Sequence, residues 1–239
     1  MITLAVSGCQ GRMGQSITRL ALADQEFALK ALLERKDHPR ANETIANVPI
    51  STDNSTLKGC QVLIEFTSPE ATIANLKACV QYGVKMVIGT TGLQPDQIKE
   101  IEKAARRIPI VFSSNMSVGV NILFKLTQIA AEKTGPSYTI TMTEAHHIHK
   151  KDAPSGTAKT LAAIAEKASG TKIENIKSIR EGEIVGDHTV VFESAGDIIT
   201  ISHHAKSRDI LAKGALVAAK FLRHKHKGLF NMQDVLELN

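Results

Sequence analysis

The chain has 239 residues, enough to bury a sizeable core as one large domain or two modest ones. Its 43% hydrophobic content is that of an ordinary globular protein, and no apolar run reaches the ~18 residues of a membrane span, so a membrane partner is not expected. A net charge of +5 accompanies only 4% aromatic residues and no tryptophan, so stacking platforms for nucleic acid are poorly supplied and dispersed cations suit anionic small molecules better.

The chain opens on "ITLAV" (Ile2 to Val6), a short strand ending at Gly8, with neither the basic leader nor the cleavage site of a signal peptide; a cytoplasmic location is expected. "QSITRLALAD" then places Ile17, Leu20 and Ala21 at helical spacing. "ALKALLE" (Ala28 to Glu34) is a second strand, and Lys36 to Pro49 is the most loop-like stretch of this half. "QVLIEF" (Gln61 to Phe66) is the apolar run of a strand covered on both faces. Ser68 and Pro69 start a helix whose buried face is Ile73, Leu76 and Val80 and which Gly83 stops. "KMVIGTTG" and "IPIVFSSN" are strands running into polar turns, with the amphipathic helix "PDQIKEIEKAARR" between them. Strand–helix alternation of this kind predicts a parallel doubly wound sheet that binds ligands at its strand C-termini.

The pattern changes after about Asn115. "SVGVNILFKLTQIAAEK" is a long helix with Ile122, Leu123, Leu126 and Ile129 on one side. "YTITMTEAHH" alternates as a half-buried strand does, and "DHTVVFES" and "DIITISHHA" are two more strands joined at Ala195-Gly196. A mixed or mostly antiparallel sheet with one open face follows, and then the helix "DILAKGALVAAKFL". "RHKHK" (Arg223 to Lys227) reads as a solvated helix end. Cys9, Cys60 and Cys79 are odd in number and widely spaced, which fits neither a disulfide framework nor a zinc site. Cys9 lies in a glycine-rich turn where exposure is conceivable, although a small filler is the plainer reading.

That turn, "GCQGRMG", spaces Gly8, Gly11 and Gly14 between the first strand and the first helix. Glycines let backbone approach a pyrophosphate, whose charge the helix N-terminus meets. Glu34, twenty positions beyond Gly14, can accept hydrogen bonds from ribose hydroxyls, and Arg35 beside it can pair with a 2′-phosphate. NADH and NADPH are therefore both expected as cofactors.

"EAHHIHKKDAPSGTA" (Glu144 to Ala158) packs three histidines and two lysines ahead of a small-residue turn. Strand alternation sends His146 and His147 to opposite faces, and three converging ligands are not evident, so no metal is expected. Ser155-Gly156-Thr157 heads a helix and, with Lys150 and Lys151, makes a site for a carboxylate. A histidine titrates near neutrality. A carboxylate-bearing molecule that gains a proton, combined with a nicotinamide cofactor, points to a reductase.

These motifs, with "EFTSPEAT", "VIGTTGL", "SSNMSVGVN", "REGEIVGDHTVVF", "HHAKSRDILAKGALVAAKFL" and "GLFNMQDVLEL", closely resemble the 4-hydroxy-tetrahydrodipicolinate reductase (dihydrodipicolinate reductase) family of diaminopimelate and lysine biosynthesis over nearly the full length. The resemblance implies an α/β protein. Residues 1–116 and 211–239 would form a Rossmann-type dinucleotide-binding domain with a parallel sheet. Residues 117–210 would form an α+β substrate domain whose open mixed sheet builds a homotetramer. It implies reduction of a cyclic dicarboxylate, 4-hydroxy-tetrahydrodipicolinate, by NADPH or NADH with loss of the 4-hydroxyl. His146 would carry the proton and Lys150 assist it, while His147, Gly156 and Thr157 bind substrate. Gly8, Cys9, Gln10, Gly11, Arg12, Met13, Glu34, Arg35, Gly89, Thr90, Thr91, Ser113, Ser114, Asn115 and Met116 would line the cofactor. Two positions depart from the family pattern: Gln10 stands where some members carry glycine, and Phe221 where many carry tryptophan. Rival readings are another two-domain NAD(P)-dependent dehydrogenase, acting on an amino-acid semialdehyde or a sugar, and a non-enzymatic nucleotide-sensing protein.

Overall fold

Strand β1 (Ile2–Ser7) is mostly apolar because both of its faces are covered: Leu4 and Val6 enter one core, Ala5 the other. The computed structural model describes residues 1–41, 43–173 and 175–239. After β1 come α1 (Arg12–Leu22), β2 (Phe27–Leu33), β3 (Thr44–Ile45), β4 (Val48–Ser51), β5 (Val62–Glu65), α2 (Pro69–Tyr82), β6 (Lys85–Ile88), α3 (Pro95–Ala104) and β7 (Pro109–Phe112). There follow α4 (Val118–Thr134), β8 (Thr139–His146), α5 (Gly156–Ser169), β9 (Ile176–Arg180), β10 (Asp187–Glu193), β11 (Ile198–His204), α6 (Asp209–Leu222), β12 (Gly228–Phe230) and α7 (Met232–Val235). Apart from the last two residues, the chain divides into two units, Met1–Ser117 with Leu211–Glu237, and Val118–Ile210.

The first unit is an eight-stranded sheet in the order β12-β7-β6-β5-β1-β2-β4-β3, parallel except for the β3–β4 hairpin at its edge. The chain builds outward from β1 in one direction through β2 and β4, then returns to β1's other side with β5 to β7. That reversal places a topological switch point between β1 and β5, beside the glycine-rich turn. One face is covered by α1, α6 and α7 through Ile17, Ala215, Leu222 and Met232. The other is covered by α2 and α3 through Ile73, Leu76 and Ile101. Ser68 caps α2, its side chain accepting from the Ala71 N–H, and Gly83 closes the helix at φ +70°. The stretch Lys36 to Pro49, read as loop, carries β3 and the start of β4; Asn42 lies outside the described residues. "RHKHK" is the turn between α6 and β12 rather than a helix end, with Lys225 Nζ 4.5 Å from the centroid of the Phe221 ring.

The second unit is a four-stranded mixed sheet, β11-β10-β8-β9, in which β8 and β9 are parallel and the other pairs antiparallel. Ile140, Met142, Val190 and Phe192 point inward against Leu123 and Phe124 of α4 and Leu161 and Ala165 of α5. Thr139, Thr141, Ile198 and Thr200 stand exposed on the strands of this sheet. The side of α4 read from the sequence is split. Leu123 is buried with Val120, Phe124, Thr127 and Ala131, while Ile122, Leu126 and Ile129 are exposed. Positions 122, 126 and 129 share one stripe at helical spacing, and 123 lies about 100° around from it.

Candidate active site

In the first unit the predicted cofactor residues follow successive strands of the sheet. Gly8, Cys9, Gln10, Gly11, Arg12 and Met13 follow β1, Glu34 and Arg35 follow β2, Gly89, Thr90 and Thr91 follow β6, and Ser113, Ser114, Asn115 and Met116 follow β7. Strands β7, β6, β5, β1 and β2 are consecutive neighbours, so these turns line one edge. Gly8 takes φ +66°, and a Cβ on Gly14 would stand 2.0 Å from the Gly8 carbonyl oxygen, so the turn closes only with glycine at both. Helix α1 has no side-chain cap at Gly11 and no acid in its first turn, which leaves its N-terminal dipole unneutralised. Glu34 accepts from the N–H groups of Gln10 and Arg35, both at 3.0 Å, and lies with Arg35 on a cleft of about 510 Å³. Gln10 Nε2 is buried without a partner although its Oε1 accepts from Arg40 at 3.0 Å. An uncapped helix end, a bare backbone turn, a ribose acceptor and an orphaned donor together fit a dinucleotide.

Two of the predicted residues have buried side chains. Cys9 is fully buried, and burial with the Glu34 charge pushes its thiol up to about 11, so it is core filler rather than an exposed thiol. Thr90 is buried with its hydroxyl accepting from the Thr67 N–H at 2.9 Å. Below this edge the fully buried Glu65 bonds Thr67 and Asn75, and burial raises its pKa. It ties the turn after β5 to α2.

In the second unit the alternation of β8 sends Glu144 and His146 to the same inward face, two residues apart. His146 Nδ1 lies 2.5 Å from Glu144 Oε2. The sheet register sets His188 of β10 opposite Glu144 and Arg180 of β9 opposite His146. Arg180 grips Glu144 with both terminal nitrogens, at 3.0 and 2.7 Å. Burial alone would raise the Glu144 pKa, but hydrogen bonds from Arg180 and His146 bring it down to about 2. Burial lowers His146, Glu144 opposes this, and the charges of Lys150 and Arg180 add to the lowering. Ser155 caps α5 by accepting from the Ala158 N–H at 3.2 Å, and its own N–H reaches Glu144 at 3.3 Å. Gly156 is exposed, with nothing within 4 Å of where a Cβ would stand, so a ligand can approach that backbone. Thr157 follows in the first turn of the helix. Lys150 Nζ pairs with Asp152 at 2.8 Å. His147 Nε2 lies 3.0 Å from Arg208, a group that can only donate, so the hydrogen of His147 sits on Nδ1, which is buried without a partner. The unit thus gathers a buried histidine, two cations and an open helix N-terminus. Among the described residues, no group of three or more His, Cys, Asp or Glu is placed to hold a metal, and no helix is long and apolar enough to cross a membrane.

Two family models account for almost all of the chain: the N-terminus of dihydrodipicolinate reductase matches residues 2–116, and its C-terminus residues 119–236. The chain belongs to the dihydrodipicolinate reductase family. The 4-hydroxy-tetrahydrodipicolinate reductase of Nitrosomonas eutropha is 42% identical over 265 residues, covering 100% of this chain and 99% of the relative. The enzyme of the same name from Thiobacillus denitrificans is 41% identical over 264 residues, covering 99% of each. Among solved structures, a dipicolinate-bound dihydrodipicolinate reductase from Paenisporosarcina sp. TG-14 shares the fold with a TM-score of 0.86, at 22% identity and 98% coverage of both chains.

Sequence reasoning left out Arg180, His188 and Arg208. It gave Glu144 no role. The pattern E-x-H on an alternating strand is a usable signal for the Glu144–His146 pair. Arg180 gives none, because its place depends on β9 pairing with β8 across more than thirty intervening residues.

Proposed function

We propose that the chain reduces 4-hydroxy-tetrahydrodipicolinate to tetrahydrodipicolinate in diaminopimelate and lysine biosynthesis, using NADH or NADPH. The observation that carries the reading is the buried His146, next to a cation and a helix N-terminus open to a carboxylate. Family membership narrows the ligand to a cyclic dicarboxylate. Residues 1–116 and 211–239 hold the nucleotide, and 117–210 hold the substrate. When bound, the reduced nicotinamide supplies a hydride.

The chain's own residues do the rest. Gly156 and Thr157 at the head of α5 take one substrate carboxylate, with Lys150 adding charge. The same positive field draws electrons out of the conjugated ring and favours attack by hydride. His147 offers its Nδ1–H as a further donor. His146 delivers a proton to the adjacent ring carbon, with Lys150 assisting. Net, the ring gains one hydride and one proton and loses one water, made from its 4-hydroxyl and a hydrogen of the neighbouring ring carbon. Because burial and cations lower the His146 pKa in the free protein, a bound dianion favours its protonated form.

Exposed Thr139, Thr141, Ile198 and Thr200 on the second sheet support a homotetramer built through that sheet. The three cysteines are unpaired thiols, as a reducing cytoplasm keeps them. The test of function is a coupled assay in which the hydroxylated substrate is generated enzymatically and loss of reduced-nicotinamide absorbance is followed. Turnover with either cofactor is expected. No turnover there, with turnover of an amino-acid semialdehyde instead, overturns the reading.

A further inference from the structure

We infer that Glu144 and Arg180 are positioning residues for His146: together they hold its imidazole in the Nδ1–H form, so that Nε2 is the nitrogen that handles the proton. The inference rests on the reading of His146 as proton carrier and adds how that carrier is set.

The geometry is closed on the Nδ1 side of the ring. Glu144 is 1% exposed, and both its oxygens are committed. Oε1 accepts from Arg180 Nη2 at 2.7 Å and from the Ser155 N–H at 3.3 Å; Oε2 accepts from Arg180 Nη1 at 3.0 Å and faces His146 Nδ1 at 2.5 Å. A guanidinium does not deprotonate, so it keeps Glu144 ionised, and an ionised carboxylate only accepts. The hydrogen between Glu144 and His146 therefore sits on Nδ1. Rotation of the ring is blocked on one side by His188, edge-on at 5.2 Å between centroids. Toward Nε2 stands Gly186, where a Cβ would lie 3.0 Å from that nitrogen, so a side chain there would crowd the working atom.

Arg180 also reaches the second cation. Its Nη2 donates to the Asp152 carbonyl at 2.6 Å, and the Asp152 carboxylate holds Lys150 Nζ. One arginine thus sets both the imidazole and the loop that carries Lys150. The groups bearing on His146 are Glu144 on its own strand, Arg180 on β9, His188 on β10, Lys150 on the loop and the neutral Ser155 at the head of α5.

The experiment compares Glu144→Gln, Glu144→Asp, Arg180→Lys and His146→Gln in the full-length protein, measuring kcat, the pH dependence of kcat/KM and NADH affinity. Glu144→Gln is expected to lower kcat about 10- to 100-fold, below the full worth of a general acid. It should also move the alkaline fall of kcat/KM toward acid by about one pH unit, because the charge that favours imidazolium is gone. Glu144→Asp keeps the charge and should restore the position of that fall. Arg180→Lys, which keeps a cation but loses the fork, should lower kcat and raise KM together. NADH affinity should stay within about twofold throughout, which separates these effects from misfolding. A Glu144→Gln enzyme with unmoved pH dependence and kcat within about twofold of the parent, beside an impaired His146→Gln, overturns the positioning role alone. If Glu144→Gln does not fold, an Arg180→Lys enzyme with parental kcat and KM overturns it as well. Near-parental kcat in His146→Gln instead overturns the reading beneath it.

Discussion

His188 should make the protein lose stability in mild acid. It is 4% exposed, its Nε2 lies 3.3 Å from Ser155 Oγ, and its Nδ1 is buried without a partner. Burial first, and then the charge of His146, lower its pKa from 6.5 to about 4. The folded-state value is depressed, so above about pH 6.5 the residue is neutral in both states and costs nothing. As pH falls below that, the unfolded chain takes up a proton that the fold refuses, and stability declines until both states are protonated below about pH 4. A shift of about 2.5 units corresponds to roughly 3 kcal/mol in full, about 1 of it lost by pH 5.5 and between 2 and 3 by pH 4.5. The perturbation is His188→Gln, which cannot titrate. The replacement has its own packing cost at every pH, so the informative quantity is the difference in slope. Urea unfolding from pH 7.5 down to 4.5 should show the parent losing stability faster than the variant by roughly these amounts. An NMR titration of the His188 ring gives the pKa directly. Parallel stability curves, or a measured His188 pKa of about 6 or above, would refute the reasoning.

His146→Gln should lower kcat about 10²- to 10⁴-fold with little change in cofactor affinity, and Lys150→Ala should lower kcat and raise KM, both read from steady-state kinetics. Arg35→Ala should weaken NADPH by about 1.5–3 kcal/mol and leave NADH nearly unchanged; equal losses in a titration would show that Arg35 does not read the 2′-phosphate. Treatment with EDTA should leave activity unchanged, and stoichiometric zinc whose removal abolishes turnover would contradict this. Light scattering should give a mass about four times the 25.8 kDa chain, and a single-chain mass at micromolar concentration would rule out the tetramer.

The parallel sheet was legible because its signals are local. The glycine turn, the Ser68-Pro69 helix start and the apolar runs of β1 and β5 each announce themselves within a few residues. The hairpin β3–β4 and strand β12 were not, since pieces of two to four residues without a continuous apolar run carry no measurable signal. Strand β9 has five residues, "IKSIR", all partly or fully exposed, so burial imprinted no pattern on it. Arg180 was lost with it. The Glu144–His146 pair could be read from alternation, whereas its guanidinium partner required knowing which strand lies alongside. Burial of Cys9 agrees with its plainer reading as a small filler, although the turn's direction, and not its composition, decides that the thiol enters the core.

The first sheet takes β12, and much of the cover on one face, from residues after Leu211, although its other seven strands are complete by Phe112. During synthesis the nucleotide-binding half therefore emerges early but stays unfinished. Until α6 arrives, the apolar side chains of β1 and β5 on that face lack Ala212, Ala215 and Leu222 against them, and β7 remains an open edge. The inserted unit has all of its strands in hand first. Its folding can run ahead on the ribosome, while the larger unit waits for contacts more than a hundred residues apart in sequence. Loss of the last turn of chain would accordingly strike the half whose sequence signature lies at the other end.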